Sequence, residues 1–448
     1  MASLSTEGLN GLAANFHAEL RRRLPWPGGT MSPRPVHLNT WEALYFDHRE
    51  ADLFALADAA AELGIERFVL DDGWFPGRDH DRAGLGDWWA DPKKYPQGLG
   101  PLAAHVVARG MQFGLWFEPE MVNPDSDLHR AHPDWALQIH GRPMLTSRNQ
   151  LVLDIARPEV AGYLFDKMHA LLSALPVAYV KWDHNRDLAT AGDAHGRPAW
   201  RRQVSAAYAL MQRLRDAHPT LEIESCSGGG GRIDFGVLRH THRVWTSDCI
   251  DALSRIAIQR GYLQFFPPEI MGAHVGSAPA HSTGRTQAMA FRGAVALPGH
   301  LGVELDVRHL DADTRRQLKG WIALYKQWRG HLHASRTWLG EAGDHLVWQL
   351  HGQPGGRDWL FLSYRTAPSG LRYQGAARLP MLEAGARYRA QVVVPDGLPA
   401  DALYNGSSPF FDALREGVVL DGSWLQHAGL PLPRSKAETA FIVHLHKL

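Results

Sequence analysis

The sequence AYVKWDHN at residues 178–185 is the stretch on which the interpretation of the whole chain depends. It has the apolar pattern of a short strand and ends with a lysine and an aspartate two positions apart. Because strand side chains alternate between two faces, Lys181 and Asp183 are expected to project on the same side. A cation beside a carboxylate keeps it ionised at neutral pH, and an ionised carboxylate at a strand end suits a covalent nucleophile or an electrostatic stabiliser. On this stretch alone, a structural ion pair is the favoured interpretation.

Outward from this stretch, strand-like and helix-like segments alternate from Val36 to about Trp338. Eight strand-then-helix units in about 300 residues predict an α/β fold, the (β/α)8 or TIM barrel. A doubly wound open sheet is the alternative, but a GxGxxG motif after the first strand and a phosphate loop are both missing. The predicted strands are 36–45, 67–74, 113–122, 178–185, 221–225, 243–249, 270–275 and 300–307, and the predicted helices are 50–63, 99–109, 158–175, 199–217, 254–262, 284–295 and one around 318–328.

The two ends of the chain have different patterns. Residues 1–34 contain a short helix followed by a Pro/Gly-rich linker, without a core of their own, which predicts that another segment once preceded them. After Trp338, short alternating segments are separated by Gly, Pro, Asn and Asp, as in a small antiparallel β-sandwich. The expected domains are therefore residues 1–34 as helix and linker, 35–338 as the barrel, and 339–448 as the β-sandwich.

Composition excludes several classes of function. The 448 residues contain 47 basic and 47 acidic side chains, so no charge excess points to nucleic acid or an anionic membrane. Only two cysteines, Cys226 and Cys249, occur, which suits a reducing compartment. The first residues lack an apolar signal segment and no long apolar run follows, so a soluble, cytoplasmic protein is expected. The 25 histidines show no HExxH-type spacing, so no metal site is expected.

The candidate chemistry lies at the carboxyl ends of the predicted strands, where TIM barrels build their active sites. Glycoside hydrolysis needs two carboxyl groups, one ionised and one protonated, on either side of a sugar ring. Asp183 beside Lys181 is the natural ionised partner, and Asp248, which has no adjacent cation, is the predicted proton carrier. Cys226 could be a nucleophile, but a buried or ligand-lining thiol is favoured because no histidine is placed to activate it. The residues at these ends include Asp71, Asp72, Trp116, Glu118, Glu120, Lys181, Asp183, Cys226, Gly228 and Asp248.

Six motifs in a fixed order carry a resemblance to a known family. They are FVLDDGWF at 68–75, GLWFEPEMV at 114–122, SRNQ at 147–150, KWD at 181–183, CSGGG at 226–230 and WTSD at 245–248. Together they resemble the α-galactosidases of glycoside hydrolase family 36. The shorter segments NTWEA at 39–43 and MGAHV at 271–275 are also similar to family segments.

The resemblance implies a retaining hydrolase that removes terminal non-reducing α-D-galactose from galacto-oligosaccharides of the melibiose or raffinose type. Asp183 would attack the anomeric carbon, and Asp248 would protonate the leaving oxygen and later activate water. The other carboxylates, Glu118 and Glu120, would support the site without being the catalytic pair. No metal or organic cofactor is implied. The family positions that hold galactose correspond to Asp71, Asp72, Trp116, Arg148, Lys181, Cys226 and Gly228, with Asn185 supporting the same site.

Two departures from the family pattern stand out. His184 occupies a position where methionine is frequent. Family members also carry a large N-terminal β-sandwich domain, of which only the trailing helix and linker are recognisable. Its loss is expected to expose apolar barrel surface and to favour association into a homo-oligomer. Two alternatives stay open: transfer of galactose to a sugar hydroxyl in place of water, and a non-catalytic galactoside-binding remnant.

Overall fold

The eight predicted barrel strands form one closed parallel barrel in a computed structural model, which confirms the (β/α)8 fold class. The structure describes residues 2–139, 141–189, 191–193, 195–371, 374–399, 402–403 and 408–448. Neighbours in the barrel follow chain order, and the first strand pairs with both the second and the eighth. The strands are β1 (His37–Asn39), β2 (Arg67–Leu70), β3 (Gln112–Phe117), β4 (Val177–Trp182), β5 (Glu222–Ser225), β6 (Arg243–Trp245), β7 (Met271–Gly276) and β8 (His300–Glu304).

Helices alternate with these strands as the sequence predicts. The helix at Glu50–Leu63 has the predicted bounds, because an apolar stripe runs along it and Gly64 ends it with a left-handed φ of 88°. The helices are α1 (Gly8–Arg21), α2 (Trp41–Leu44), α3 (Glu50–Leu63), α4 (Gly100–Ala108), α5 (Asp127–Ala131), α6 (Pro158–Ala174), α7 (Trp200–Ala217), α8 (Ala252–Tyr262), α9 (Met289–Ala296), α10 (Ala312–Ala334), α11 (Pro409–Glu416) and α12 (Gly422–His427).

Two compact units divide the chain. The first unit consists of Arg23–Asp248 and Gly302–His309, and the second consists of Met1–Arg22, Cys249–Leu301 and Leu310–Leu448. These limits follow contacts within the fold, whereas the domain boundaries at 34 and 338 were placed on sequence pattern, so those boundaries stay a prediction.

A buried ionic cluster holds the amino ends of strands in the first unit. The Glu222 carboxylate, at the start of β5, accepts from Arg34 at 2.7 Å and from Arg67, at the start of β2, at 2.9 Å. Burial alone would raise the pKa of Glu222, but the two guanidinium groups outweigh it and hold that pKa well below its usual value. In TIM barrels this end supports stability and the opposite end carries the chemistry.

The C-terminal part of the second unit contains the predicted antiparallel β structure. One antiparallel sheet contains six strands. Its inward side chains, such as Leu360, Leu362 and Ile442, are fully buried. A separate two-stranded pair joins Ala376–Ala377 to Leu430–Pro431. The sheet strands are β9 (Arg336–Glu341), β10 (Leu346–Gly352), β11 (Asp358–Arg365), β12 (Arg387–Val392), β13 (Val418–Asp421) and β14 (Thr439–Lys447). In the sheet they lie in the order β9-β10-β11-β14-β12-β13.

Several predicted strands run past the end of the observed strand, among them 67–74, 243–249 and 300–307, and two others show where the chain goes instead. The segment 36–45 contains only the three-residue β1, because the chain turns into α2 once the Thr40 N–H has donated to the Val69 carbonyl. The segment 113–122 ends as a barrel strand at Phe117, and Met121–Val122 pairs instead with Leu151–Val152. In both places the chain leaves the sheet at its carboxyl end to form loops.

Among the described residues, no helix combines the length and apolar character needed to cross a membrane.

Candidate active site

One pocket collects most of the residues that the sequence singles out. It lies entirely within the first unit and encloses about 810 Å³ of empty space including its mouth, within the range typical of small-ligand sites. Eight of the ten predicted site residues line it: Asp71, Asp72, Trp116, Arg148, Lys181, Asp183, Asn185 and Asp248. The other two act on the pocket wall, since the Gly228 N–H donates to Asn185 Oδ1 at 3.1 Å and the Cys226 thiol hydrogen-bonds to Asp183.

Asp183 follows the last residue of β4 and is held by donors on both carboxylate oxygens. Its backbone N–H donates to the Phe117 carbonyl at 2.8 Å, which fixes the chain beside β3. Oδ2 accepts from Asn185 Nδ2 at 2.7 Å and from Trp116 Nε1 at 3.2 Å, and Oδ1 accepts from the His184 N–H at 2.9 Å. Three directed donors leave this carboxylate little freedom to rotate.

These surroundings keep Asp183 ionised. Burial by itself would raise the pKa of this carboxyl group, since a charge is poorly solvated in the barrel. The positive charge of Lys181 and the hydrogen bonds from Cys226 and Asn185 outweigh burial, so the pKa lies below its usual value. The sequence prediction of an ionised Asp183 therefore agrees with the environment.

The partner of Lys181 differs from the one expected from spacing alone. Its ammonium group donates to Asp71 Oδ2 at 2.8 Å, so that a side chain of β4 reaches past β3 to the end of β2. Asp71 Oδ2 also accepts from Asn39 Nδ2 at 2.6 Å, and Asp71 Oδ1 accepts from the Asp72 N–H at 2.9 Å. The ion pair is thus Lys181–Asp71, and Lys181 acts on Asp183 through its charge.

Asp72 forms a separate, bidentate ion pair. Arg78 Nε donates to Oδ1 at 2.9 Å and Arg78 Nη2 donates to Oδ2 at 2.8 Å, with both side chains buried. The same guanidinium donates from Nη1 to Asn123 Oδ1 at 3.2 Å. Because Arg–carboxylate forks fix both partners in one plane, Asp72 presents its outer lone pairs to the pocket in a set direction.

Asp248 lies at the exposed part of the pocket, after β6. Trp245 Nε1 donates to its Oδ1 at 3.0 Å. Partial burial of the carboxyl group raises the pKa of Asp248, because it removes water that would solvate the charge. The negative charge of Asp183 raises this pKa further, and the positive charge of Lys181 lowers it. Asp183 and Asp248 therefore share a pocket while their environments shift their pKa values in opposite directions, which is the pattern of a carboxylate and a proton donor.

Behind the loop that follows β4 and carries Asp183 (residues 183–187), Glu118 organises the backbone. The Asn185 N–H donates to Glu118 Oε1 at 2.6 Å, and Gln150 Nε2 donates to Glu118 Oε2 at 3.1 Å. Glu118 is fully buried, and burial together with the charge of Asp183 raises its pKa to about 8. Asn185 therefore links Glu118, through its backbone, to Asp183, through its side-chain amide.

Glu120 and His184 form a second support. Glu120 Oε1 accepts from Trp182 Nε1 at 2.9 Å and from Arg232 Nη1 at 2.7 Å. His184 Nε2 lies 4.0 Å from Glu120 Oε2, and burial lowers the pKa of His184. The histidine that stands in a frequent methionine position is thus packed beside a carboxylate and a guanidinium group.

The Cys226 thiol is buried and unreactive in character. Burial raises its pKa far above the usual value, and the charge of Asp183 adds to that rise. A protonated thiol can donate to a carboxylate but is a poor nucleophile. The structure therefore favours a thiol that donates to Asp183.

Sequence reasoning missed several pocket residues. Glu304 is the last residue of β8, is buried, and has a pKa raised far above the usual value by burial. Its position at a strand end was a usable signal, but the predicted eighth strand ran on to residue 307 and concealed it. The other pocket residues not singled out individually are Trp41, Glu42, Phe46, Arg78, Asp81, Gln150 and Trp245.

Comparison with known proteins places this fold and site in one family. The family model Melibiase matches residues 1–334, so the chain belongs to the Melibiase family. It is 43% identical to an Escherichia coli protein named alpha-galactosidase over 447 residues, which is 99% of this chain and 63% of that protein. It is 44% identical over 330 residues to alpha-galactosidase AgaA of Geobacillus stearothermophilus, covering 72% of this chain and 45% of that protein.

Solved structures agree with the sequence matches and confirm the resemblance to glycoside hydrolase family 36. The crystal structure of the family 36 alpha-galactosidase AgaB from Geobacillus stearothermophilus superposes with a TM-score of 0.90 at 36% identity, covering 99% of this chain and 59% of that one. A variant of AgaA from the same organism, in complex with raffinose, gives a TM-score of 0.89 at 36% identity over 98% of this chain and 59% of that one. The chain thus spans about half to two thirds of the length of these relatives.

Proposed function

We propose that this chain is the catalytic part of a retaining α-galactosidase that removes terminal non-reducing α-D-galactose through a covalent glycosyl-enzyme intermediate. The observation that carries the proposal is the pair Asp183 and Asp248, which line one pocket with opposite pKa shifts. Membership of the Melibiase family and similarity to proteins named alpha-galactosidase support the substrate class. Galacto-oligosaccharides of the melibiose or raffinose type are the proposed substrates, since a relative was solved with raffinose.

In the first step, the Asp183 carboxylate attacks the anomeric carbon as the glycosidic bond breaks. Asp248 gives its proton to the departing oxygen, so that the aglycone leaves as a neutral alcohol. The N–H donors of Trp116, Asn185 and His184 hold the attacking carboxylate in one orientation before substrate arrives. That orientation supplies part of the rate, because a fixed nucleophile loses little entropy on reaction.

In the second step, the roles of the two carboxyl groups follow from their electrostatic coupling. Once Asp183 is esterified it carries no charge, so the repulsion that raised the pKa of Asp248 disappears. Asp248, now ionised, removes a proton from water as the oxygen attacks the anomeric carbon. The ester bond to Asp183 breaks, and two inversions give net retention at that carbon.

Selectivity for galactose is assigned to the side of the pocket formed by Asp71 and Asp72. Their carboxylates are oriented by Lys181 and by Arg78, so each oxygen faces a set direction. Accepting groups held in this way favour one arrangement of sugar hydroxyls, because an epimer leaves a buried acceptor unpaired. Trp116 supplies an apolar ring surface against which a pyranose can pack.

Hydrolysis of an aryl α-galactoside by the wild type, Asp183→Ala and Asp248→Ala tests the catalytic pair. Both variants are expected to lose at least about a thousandfold in kcat. Azide should rescue them with opposite stereochemistry: the Asp183→Ala variant forms β-galactosyl azide, and the Asp248→Ala variant forms the α-anomer. Asp187→Ala, an exposed aspartate of the same loop, is the matched control and should retain activity.

Two further measurements check the mechanism and the sugar. Proton NMR of the first-formed product should show α-galactose before mutarotation, and initial release of the β-anomer would refute retention. Turnover of the matched α-glucoside should be slower by about a hundredfold or more. Equal rates on the two sugars would contradict the role of Asp71 and Asp72.

A further inference from the structure

We propose that Asp358, His444 and His446, on the C-terminal sheet, form a binding site for a divalent late transition-metal ion such as zinc. This site belongs to the second unit and is independent of the proposed galactosidase chemistry. Among the described residues, these three offer one nitrogen or oxygen ligand atom each, and all three ligand atoms lie within 4.8 Å of one another.

Strand register places the three side chains together. β11 and β14 are antiparallel neighbours, and Asp358 stands directly opposite His446. His444 is two residues before His446, so both imidazoles project from the same face of β14. Cross-strand partners and same-face neighbours are therefore fixed by the backbone of a hydrogen-bonded sheet.

The two distances between the carboxylate oxygen and the imidazole nitrogens are close to those of a tetrahedral metal site. His444 Nε2 lies 2.8 Å and His446 Nδ1 lies 2.7 Å from Asp358 Oδ1. Zinc binds imidazole nitrogen and carboxylate oxygen at about 2.0–2.2 Å, which puts neighbouring ligand atoms about 3.3 Å apart. A rotation that moves the carboxylate outward by about 0.5 Å opens that space, with water completing the fourth position.

The donor set selects the class of ion. Two imidazoles and one carboxylate suit zinc and the neighbouring late transition metals, whereas magnesium and calcium prefer oxygen ligands throughout. The imidazoles can bind as neutral tautomers by moving each N–H to the ring nitrogen that faces away from the ion.

The histidines are partly immobilised and still reachable from solvent. The side chains of His444 and His446 are 27% and 35% exposed, and that of Asp358 is 47% exposed. The edge of the His444 ring packs against Trp328 of α10, with ring centroids 4.9 Å apart. Arg357 Nη2 lies 3.4 Å from His446 Nε2, so one neighbouring cation opposes binding.

Calorimetric titration of the EDTA-treated full chain with zinc chloride is the first test. One ion per chain should bind saturably, and the melting temperature should rise with zinc concentration, because an ion that binds only the folded state stabilises it. Cobalt(II) should give the intense visible absorption bands of a tetrahedral centre. A titration without saturable binding at this stoichiometry overturns the proposal.

Variants locate the ion. His446→Asn should weaken zinc binding by about a hundredfold and Asp358→Asn by at least about tenfold, while Arg357→Ala should tighten it. The matched control is His345→Asn, because His345 Nε2 forms an exposed pair with Asp344 at 3.1 Å in the same unit, and this variant should bind zinc as the wild type does.

Asp358→Asn guards against loss of folding, since its amide oxygen still accepts from both imidazoles. Circular dichroism in EDTA should be the same for this variant and the wild type. Unchanged zinc affinity in both His446→Asn and Asp358→Asn would show that the ion sits on other histidines and would refute the site.

Discussion

Replacing Glu118 by glutamine tests how much this carboxyl group, buried behind the loop that carries Asp183, lowers the free energy of unfolding when it ionises. Glu118 Oε1 accepts from the Asn185 N–H at 2.6 Å, and an amide oxygen can take over this role. On the other side, Gln150 Nε2 donates to Glu118, and the buried Gln150 Oε1 finds no hydrogen-bond partner among the residues that the structure describes. Rotation of the Gln150 amide would let its oxygen accept from the new amide, so Glu118→Gln is expected to fit without strain.

The sign of the effect follows from proton linkage. The pKa of Glu118 rises from 4.5 to about 8 on folding, chiefly through burial and then through the charge of Asp183. Between these two values the folded protein holds a proton that the unfolded chain has lost, so the free energy of unfolding falls as pH rises. At about 1.4 kcal/mol per tenfold change in proton concentration, the full loss is about 5 kcal/mol, most of which falls between about pH 5 and pH 8.

Glutamine cannot ionise, so the variant escapes this loss. Urea unfolding should therefore show that the free energy of unfolding of Glu118→Gln, relative to that of the wild type, increases by about 3 to 4 kcal/mol from about pH 5 to pH 8. Glu222→Gln provides the matched control, because the lowered pKa of Glu222 leaves it ionised in both states over that range. Its difference from the wild type should be destabilising, by about 3–5 kcal/mol, and should stay constant with pH. A Glu118→Gln curve parallel to the wild type would refute the reasoning.

Three further outcomes test the loops around the pocket. Gly229→Ala places a Cβ 2.7 Å from the Asp248 N–H nitrogen at a φ of 83°, so kcat on an aryl α-galactoside should fall by about a hundredfold. Gly228→Ala, whose added Cβ meets no atom within 4 Å, should lose less. Mass spectrometry after iodoacetamide treatment should find the half-exposed Cys249 alkylated before the buried Cys226, and Cys226→Ser, which keeps a donor, should retain measurable kcat.

The order of strands and helices was predictable because periodicity reports burial directly. The helix at Glu50–Leu63 shows this, since its apolar stripe and the glycine that follows define both ends. Strand ends were less predictable. The second strand stops at Leu70, four residues before the predicted end at Trp74, because Asp71 and Asp72 form ion pairs in the pocket instead of extending the sheet.

The C-terminal part shows a different limit. The helix at Pro409–Glu416 was not predicted, although Ser408 Oγ accepts from the Phe411 N–H at 3.4 Å and proline occupies the first turn. The cap and the proline were visible in the sequence. A helix of only two turns lacks the repeated stripe that distinguishes it from a loop between strands.

In the pocket, residue types were predictable and partners were not. The motifs placed Lys181 and Asp183 on one face, yet the ammonium bonds to Asp71, which is 110 residues away in sequence. β4 and the end of β2 come within that distance because both strands pair with β3 in the folded sheet. Arg78 was missed for a related reason, since a guanidinium in a loop gives no periodic signal, and its fork to Asp72 exists only in the folded chain.

The ion pairs of Lys181 and Arg78 determine which negative charge in the pocket stays available to a ligand. Lys181 is matched by Asp71 and Arg78 by Asp72, so Asp183 remains as the one buried carboxylate on this wall whose charge no side-chain ion pair cancels among the described residues. Burial also raises the pKa of Glu304 far above its usual value, which favours the neutral form of this carboxyl group. The negative charge of Asp183 would complement the positive charge that develops on a glycosyl centre in the proposed reaction. A direct Lys181–Asp183 pair would cancel that charge, and the bond of Lys181 to Asp71 leaves it available for the proposed attack on the anomeric carbon.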